Sequence, residues 1–87
     1  MKKGDIVTVV AISGEYVGTF DSQLDTTITL TQPKMIVSNP EGGMGFARGV
    51  AVTGNENPTV ITFNNYVFAT ESNEGVQNAY LIATGQK

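Results

Sequence analysis

The 87-residue chain contains neither cysteine nor histidine. The missing cysteine excludes a disulfide scaffold, a thiolate metal site and a cysteine nucleophile. Without histidine, the most common general base and the usual nucleophilic triads are absent as well. We therefore expect no enzymatic activity and no bound cofactor. Stability must come from burial of apolar surface, which oligomerisation could supplement.

Charged residues are scarce, and cations especially so. They make up 15% of the chain, against about 25% in a typical globular protein. Either a neighbouring subunit covers surface that would otherwise be charged, or neutral Thr, Asn and Gln replace the charges. The formal net charge of −3 opposes binding to phosphates. Between Gly4 and Gln86 the only cationic residues are Lys34 and Arg48.

No long apolar run is present, so we expect no membrane-spanning segment. Met-Lys-Lys at the start resembles the basic part of a signal peptide. The segment that follows, residues 4–14, is too short and too polar to be its hydrophobic part. With 40% hydrophobic residues the chain is globular rather than disordered. We expect one soluble domain over residues 1–87, located in the cytoplasm.

Val, Ile, Thr, Tyr and Phe dominate the first seventy or so residues, a composition typical of strands. Turn residues separate the apolar segments, and the connection at 39–45 holds three glycines and a proline. These signals predict an all-β domain. Its five antiparallel strands are expected over residues 5–13, 15–21, 26–37, 46–53 and 59–70, with a bend in the last at 64–65.

Two positions predict how these strands are shaped. Gly18 lies in the middle of the second strand, where the missing Cβ permits the sharp bend that a small barrel needs. Residues 26–31 alternate strictly, so Ile28 and Leu30 should face the core and the threonines solvent. Pro33 cannot donate to a sheet ladder and must therefore lie at a bulge or on an edge.

The last fifteen residues change in character and predict a short helix over 73–84. Ser72 can cap its start, Glu74 suits its first turn, and Gly85 can end it in the left-handed conformation. One helical face would carry Val76, Ala79, Tyr80 and Ala83. The alternative is a sixth strand through 79–83.

Two loose sequence patterns point to a known family. In the first, Gly14, Gly18 and Phe20 are followed by Asp25 and by the segment 27–30, TITL. In the second, residues 61–67 read ITFNNYV. With these patterns the chain resembles the Sm-like family, and most of all its short phage-encoded members. The resemblance implies a strongly bent five-stranded SH3-like barrel that assembles into rings.

The resemblance also implies RNA as the class-typical ligand. However, Thr27 stands where RNA-binding members have a base-reading asparagine, and Thr62-Phe63 replaces their Arg-Gly. The implied nucleic-acid surface consists of Asp25, Thr27, Phe63, Asn64, Lys34 and Arg48. Phe63 has an alternative role in ordinary packing. The alternative function is a structural or protein-interaction component that binds no nucleic acid.

The predicted fourth and fifth strands favour a homo-oligomer because few charges protect their edges. The segment 46–53 carries only Arg48, and the segment 59–70 carries no charge. Pairing strand four of one subunit with strand five of the next would close a ring, with six or seven copies implied by the family. The predicted interface residues are Val50, Val52, Ile61 and Phe63. The alternative is a monomer whose C-terminal helix covers the free edge.

Three weaker patterns carry alternative chemistry. Asp21 and Asp25 could hold a hard cation, but they lack the dense spacing of a calcium loop. Residues 42–45 could wrap a phosphate, but they lack the Gly-Lys-Ser/Thr of a P-loop and precede a strand. Residues 24–26 resemble the Asp-Thr-Gly turn of aspartic proteases, yet Thr27 takes the glycine position. We interpret all three as turns or connectors and predict no metal site.

Overall fold

The computed structural model describes residues 1–51 and 53–86 of the chain. The protein is mostly β, with one antiparallel sheet and a short C-terminal helix. The elements are β1 Ile6–Ala11, β2 Gly14–Leu24, β3 Thr27–Ser38, β4 Met44–Phe46, β5 Val60–Asn64, β6 Phe68–Glu71 and α1 Glu74–Ala83. The first three strands match the predicted ones, with ends shifted by one to three residues.

The strands β1, β2 and β3 form a central meander, and later strands are added on both sides of it. β6 pairs with β1, while β3 pairs with β4 and β5 in addition to β2. Its first part, Thr27–Thr31, pairs with β5, and its last part, Ile36–Ser38, pairs with β4. No ladder joins β5 to β6 within residues 1–51 and 53–86, so the sheet is not closed by hydrogen bonds there.

The core lies on one face of the meander and follows the predicted alternation. Ile28 and Leu30 are fully buried, which confirms the inward direction of both side chains. The buried cluster consists of Val7, Val9, Phe20, Ile28 and Leu30, with Phe63, Tyr66 and Ala69 packed against it. All of these are apolar or aromatic, so the hydrophobic effect is the main force holding the sheet in this shape.

Of the two positions that Pro33 allows, a bulge or an edge, the structure has the bulge, and Gly18, the site of the predicted bend, lies opposite it. A Cβ at Gly18 would lie 3.0 Å from the Cβ of Leu30 and 3.3 Å from the Cα of Pro33. The register of β2 against β3 shifts between residues 17 and 19. Gln32, beside the proline, adopts a left-handed φ of 47°. The two strands therefore approach closely because one has no side chain and the other has an extra residue.

The predicted fourth strand over 46–53 is wrong. β4 covers Met44–Phe46 instead, and residues 47–51 have no regular structure. Gly49 has a φ of 71°, and a Cβ there would lie 2.7 Å from the backbone oxygen of Asn55. A left-handed residue packed this tightly against another part of the same loop cannot continue a strand. Apolar composition alone predicted the strand and missed this turn.

The predicted fifth strand over 59–70 is two strands, β5 and β6, which makes six instead of five. The predicted bend at 64–65 is confirmed and is sharp enough to end β5. Asn65 has a left-handed φ of 57°, and its N–H donates to the carbonyl of Thr26 over 2.9 Å. Asparagine tolerates this conformation better than most residues do.

The C-terminal helix is confirmed, with a different N-terminal cap. Asn73, not Ser72, accepts the N–H of Val76 on its Oδ1 at 2.9 Å. Ser72 is buried, and its hydroxyl bonds that of Thr8 at 2.7 Å. At the other end, Gly85 has a φ of 74°, as predicted. A buried hydroxyl needs a partner in the sheet, which leaves the exposed Asn73 to cap the helix.

Tyr80 fastens the helix to the face of the sheet opposite the core. It is fully buried, whereas Ala79 and Ala83 of the predicted face are exposed. Its hydroxyl donates to the Gln32 carbonyl at 2.9 Å and lies 3.1 Å from the Thr19 hydroxyl. Burial raises the pKa of Tyr80 above its ordinary value. The helix thus covers the bend and bulge, where the backbone of β3 is irregular and its carbonyls are free to accept.

Candidate functional site

Two turns meet at one end of the sheet and bring distant polar residues together. The β2–β3 turn is tied to the end of β5, because the Thr26 hydroxyl donates to Asn64 Oδ1 over 2.9 Å. In the sheet register, Thr27 lies directly opposite Asn64. We call this end the turn surface; its residues are Gln23, Asp25, Thr26, Thr27, Asn64, Asn65 and Tyr66. Three predicted binding residues, Asp25, Thr27 and Asn64, belong to this surface, and the fourth, Phe63, is the neighbour of Asn64 on β5.

The turns are held by their own backbone conformations. Asp25 and Asn65 both adopt left-handed φ angles, of 52° and 57°, which Asp and Asn reach at little cost. The Thr27 hydroxyl donates to the carbonyl of Leu24 over 2.8 Å and closes the β2–β3 turn. The turn surface is therefore built from fixed turns and does not depend on a mobile loop.

The chemistry of the turn surface is polar and slightly acidic. The side-chain amide of Gln23 donates to the hydroxyl of Tyr66, which joins β2 to the β5–β6 turn. Asp25 is exposed and supplies the single carboxylate of the surface, which contains no Lys or Arg. Sequence reasoning missed Gln23 and Thr26. Neither carries a signal of its own, since only the pairing of β3 with β5 places them beside Asn64.

Phe63 occupies a packing position. Its ring centroid lies 4.8 Å from that of Tyr16, with the planes tilted by 51°, and the ring packs against the core cluster. Its neighbour across the ladder is the fully buried Ile28. This position agrees with the packing role named as the alternative for Phe63, and base stacking on this ring stays a prediction.

Lys34 and Arg48 lie away from the turn surface. Lys34 is seven residues from Thr27, which corresponds to about 23 Å along an extended strand. Its ammonium donates to Asn57 Oδ1 over 3.3 Å. Arg48 pairs with Glu56 at 3.9 Å, with both side chains largely exposed. Both cations contact the segment before β5, Lys34 at Asn57 and Arg48 at Glu56, so the six predicted binding residues form two groups and not one surface.

The predicted interface residues are also divided. Ile61 and Phe63 lie on β5 and pair with residues of β3 that face the core. Val50 is half-buried in the irregular segment after β4, because the strand expected there does not form. Val52 lies outside the described residues. An edge-to-edge interface with β5 therefore cannot use residues 47–51, which form no strand.

β5 and β6 each have one unpaired edge within the described ranges 1–51 and 53–86. β5 carries no charge, and β6 carries only Glu71. Apolar side chains on or beside these strands are exposed, including Val60, Val67 and Phe68. Unpaired N–H and C=O groups next to exposed apolar side chains favour pairing with another strand.

The weaker alternatives find little support in the geometry. Among residues 1–51 and 53–86, no cluster of three or more His, Cys, Asp or Glu could hold a metal. Asp21 pairs with Lys3 at 3.6 Å. The glycine-rich segment 42–45 belongs to the β3–β4 hairpin, and the Gly43 N–H already donates to Asn39 Oδ1 over 2.9 Å. Asp21 and Gly43 thus serve local structure.

No family model, curated protein or solved structure matches the chain. The described helix, α1, is too short to cross a membrane.

Proposed function

We propose that this protein is an Sm-like assembly module that forms a homo-oligomeric ring through the free edges of β5 and β6. The observation that carries the proposal is the pair of unprotected edges on β5 and β6. The sequence resemblance at Gly14, Gly18, Asp25 and the alternating segment 27–30 supports the same family.

A barrel-like curvature follows from the connection between β5 and β6. The five strands run in the order β5-β3-β2-β1-β6, so these two lie at opposite ends of the row. In a flat sheet they would be about 19 Å apart, with about 4.8 Å between neighbouring strands. Residues 65–67 are all that connects them, and such a link spans at most about 14 Å. The sheet must therefore bend back toward itself, which supports the SH3-like barrel.

The two edges can then be satisfied by a neighbouring copy. Pairing β5 of one subunit with β6 of the next is a head-to-tail contact, which either closes into a ring or grows into a filament. The family resemblance favours closure with six or seven copies. Pairing of β5 with β6 replaces the predicted pairing of strand four with strand five, because β5 and β6 both come from the segment predicted as strand five.

The monomer alternative requires the helix to cover an edge. The buried side chain of the helix contacts the meander instead: Tyr80 bonds Thr19 on β2 and the Gln32 carbonyl on β3. The Gln86 amide also donates to Gln32, over 3.0 Å. These contacts place α1 over the meander and leave the β5 and β6 edges available for assembly.

Analytical ultracentrifugation tests the ring directly. At micromolar concentration the mass should be six or seven times that of the 9.2 kDa subunit. Val60→Lys adds a charge at the exposed β5 edge and should give monomers with an unchanged circular dichroism spectrum. Val37→Lys makes the same chemical change on β3, next to the β4 hairpin, and should leave the ring intact. A wild-type monomer, or a Val60→Lys ring, would contradict the proposal.

RNA remains the second candidate ligand because the turn surface joins Asp25, Thr27 and Asn64, as the resemblance implies. The net charge of −3 and the distance of Lys34 and Arg48 from this surface favour the alternative of a protein-interaction component. Fluorescence anisotropy with short oligouridine and oligoadenosine at low and high salt separates the two. Binding that weakens in Asn64→Ala but not in the control Asn39→Ala supports RNA, and no binding at low salt supports the alternative.

A further inference from the structure

A cleft of about 330 Å³ lies between the bulge of β3, the loop before β5 and the last residue of α1. We call it the Lys34 cleft. Its polar lining comes from Gln32, Lys34, Asn57, Thr59 and Thr84, and its apolar lining is Pro58 and Ala83. Three separate parts of the chain thus form one concave surface within a single subunit.

Lys34 brings an uncompensated positive charge to this cleft. The side chain is half-buried, and its ammonium donates to Asn57 Oδ1 over 3.3 Å. Within residues 1–51 and 53–86, the ion pairs are Lys3–Asp21 and Arg48–Glu56, so Lys34 has no carboxylate partner there. An ammonium group has three protons to donate, which leaves it able to bind an anion.

The two side-chain amides add donors to the cleft. Asn57 uses its oxygen to accept from Lys34. Gln32 uses its oxygen to accept from the Gln86 amide over 3.0 Å. Each of these two oxygens accepts one hydrogen bond, and the NH₂ groups can donate to a ligand, as can the Thr59 hydroxyl. The lining therefore offers donors to a ligand that accepts hydrogen bonds.

We propose that the Lys34 cleft binds a small ionised carboxylic acid. One ammonium balances the single charge of a carboxylate, and charge-assisted hydrogen bonds to it are the strong kind. A phosphate would bring a second negative charge close to the C-terminal end of α1, where the helix dipole is negative. Pro58 and Ala83 provide an apolar wall for the hydrocarbon part of the acid.

Nuclear magnetic resonance titration of the ¹⁵N-labelled protein with sodium propionate tests the site. The amide signals of Lys34, Asn57, Thr59 and Ala83 should shift and saturate, with a dissociation constant in the millimolar range expected for so small a ligand. Propionamide, which lacks the charge, and sodium chloride at the same ionic strength should not saturate these shifts. Equal responses to propionate and to either control would overturn the proposal.

Variants test whether propionate binds in the Lys34 cleft. Lys34→Gln should weaken propionate binding at least tenfold. Arg48→Gln makes a similar change of charge outside the cleft lining described above and should bind like the wild type. If Lys34→Gln proves unfolded by circular dichroism, Thr59→Val keeps the charge, removes one donor and should still weaken binding several-fold. Unchanged binding in a folded Lys34→Gln or in Thr59→Val would overturn the assignment.

The carboxylate could be that of a free acid or the C-terminus of a peptide, and a second titration distinguishes them. Acetyl-Ala-Ala with a free carboxylate is compared with its C-terminal amide. Tighter binding of the peptide acid than of propionate identifies a chain terminus as the ligand, and weaker binding identifies a free acid. Binding of the amide as tightly as the acid would contradict the role of the carboxylate. The cleft lies within one subunit, so the result does not depend on whether the ring forms.

Discussion

The two halves of β3 are held in different ways. The first half, Thr27–Thr31, is regular, lies between β2 and β5, and buries Ile28 and Leu30 completely. The second half begins at a bulge, with Gln32 in a left-handed conformation, and is covered by Tyr80 of the helix. Nondirectional apolar burial stabilises the first half, whereas close backbone approach and directed hydrogen bonds stabilise the second. Substitutions in the two halves should therefore destabilise the protein for different reasons.

The largest effect is expected from Ile28→Ala in the regular half. The side chain is fully buried in the core cluster, and truncation leaves a cavity that costs about 2–5 kcal/mol of unfolding free energy. Urea denaturation followed by circular dichroism measures the loss. Thr62→Ala, an exposed change on β5, serves as the control and should cost much less. A loss below about 1 kcal/mol for Ile28→Ala would show that this half is not held by burial.

Gly18→Val should have the next largest effect, at the bend. Its Cβ would lie 3.0 Å from Leu30 and 3.3 Å from the Pro33 backbone, so the strands must separate, at about 2–3 kcal/mol. The control is Gly45→Val, where a Cβ would meet nothing within 4 Å. Thermal melting compares the two variants. Equal melting temperatures would mean that the close approach at Gly18 is not needed.

Tyr80→Phe should cost less, because it removes only hydrogen bonds. The Gln32 carbonyl at 2.9 Å and the Thr19 hydroxyl at 3.1 Å would lose their partner, at about 1–2 kcal/mol. The aromatic ring of the substituted residue still fills the same site, so the core should be unaffected. Hydrogen exchange should rise in α1 and around Gln32 more than in Thr27–Thr31. A uniform rise would show that the two halves of β3 open together.

The smallest effect concerns pH and belongs to the bulged half alone. Burial raises the pKa of Tyr80 in the folded protein above its ordinary value of 10.0. The folded state therefore favours the neutral phenol, and this contribution is complete below pH 10 and is lost as the pH rises through the folded-state pKa. The difference in unfolding free energy between wild type and Tyr80→Phe should shrink above pH 10. A constant difference between pH 8 and pH 11 would contradict this.

The predictions that succeeded each depended on a local physical signal. The alternation of 26–31 indicated which side chains are buried, and Pro33 required a bulge or an edge position because it cannot donate to the ladder. Gly85 ended the helix in the left-handed conformation that glycine reaches most easily. The prediction of strand 46–53 failed because apolar content does not reveal that Gly49 packs against Asn55. The cap was assigned to Ser72 because its hydroxyl bond to Thr8, 64 residues away, is not visible locally.

The sequence by itself determined the strand-rich composition, the order of the first three strands, the C-terminal helix and the shortage of cations. These follow from propensity, periodicity and charge, which act over a few residues. Only the tertiary structure decided that Asp25 and Asn64 share one surface, while Lys34 and Arg48 lie elsewhere. It also decided that β5 and β6, with their free edges, come from a segment predicted as one strand. Finally, it decided that Lys34, Gln32 and Asn57 line one cleft. Such groupings depend on which strands pair and in which register, and pairing is set by burial across the whole sheet.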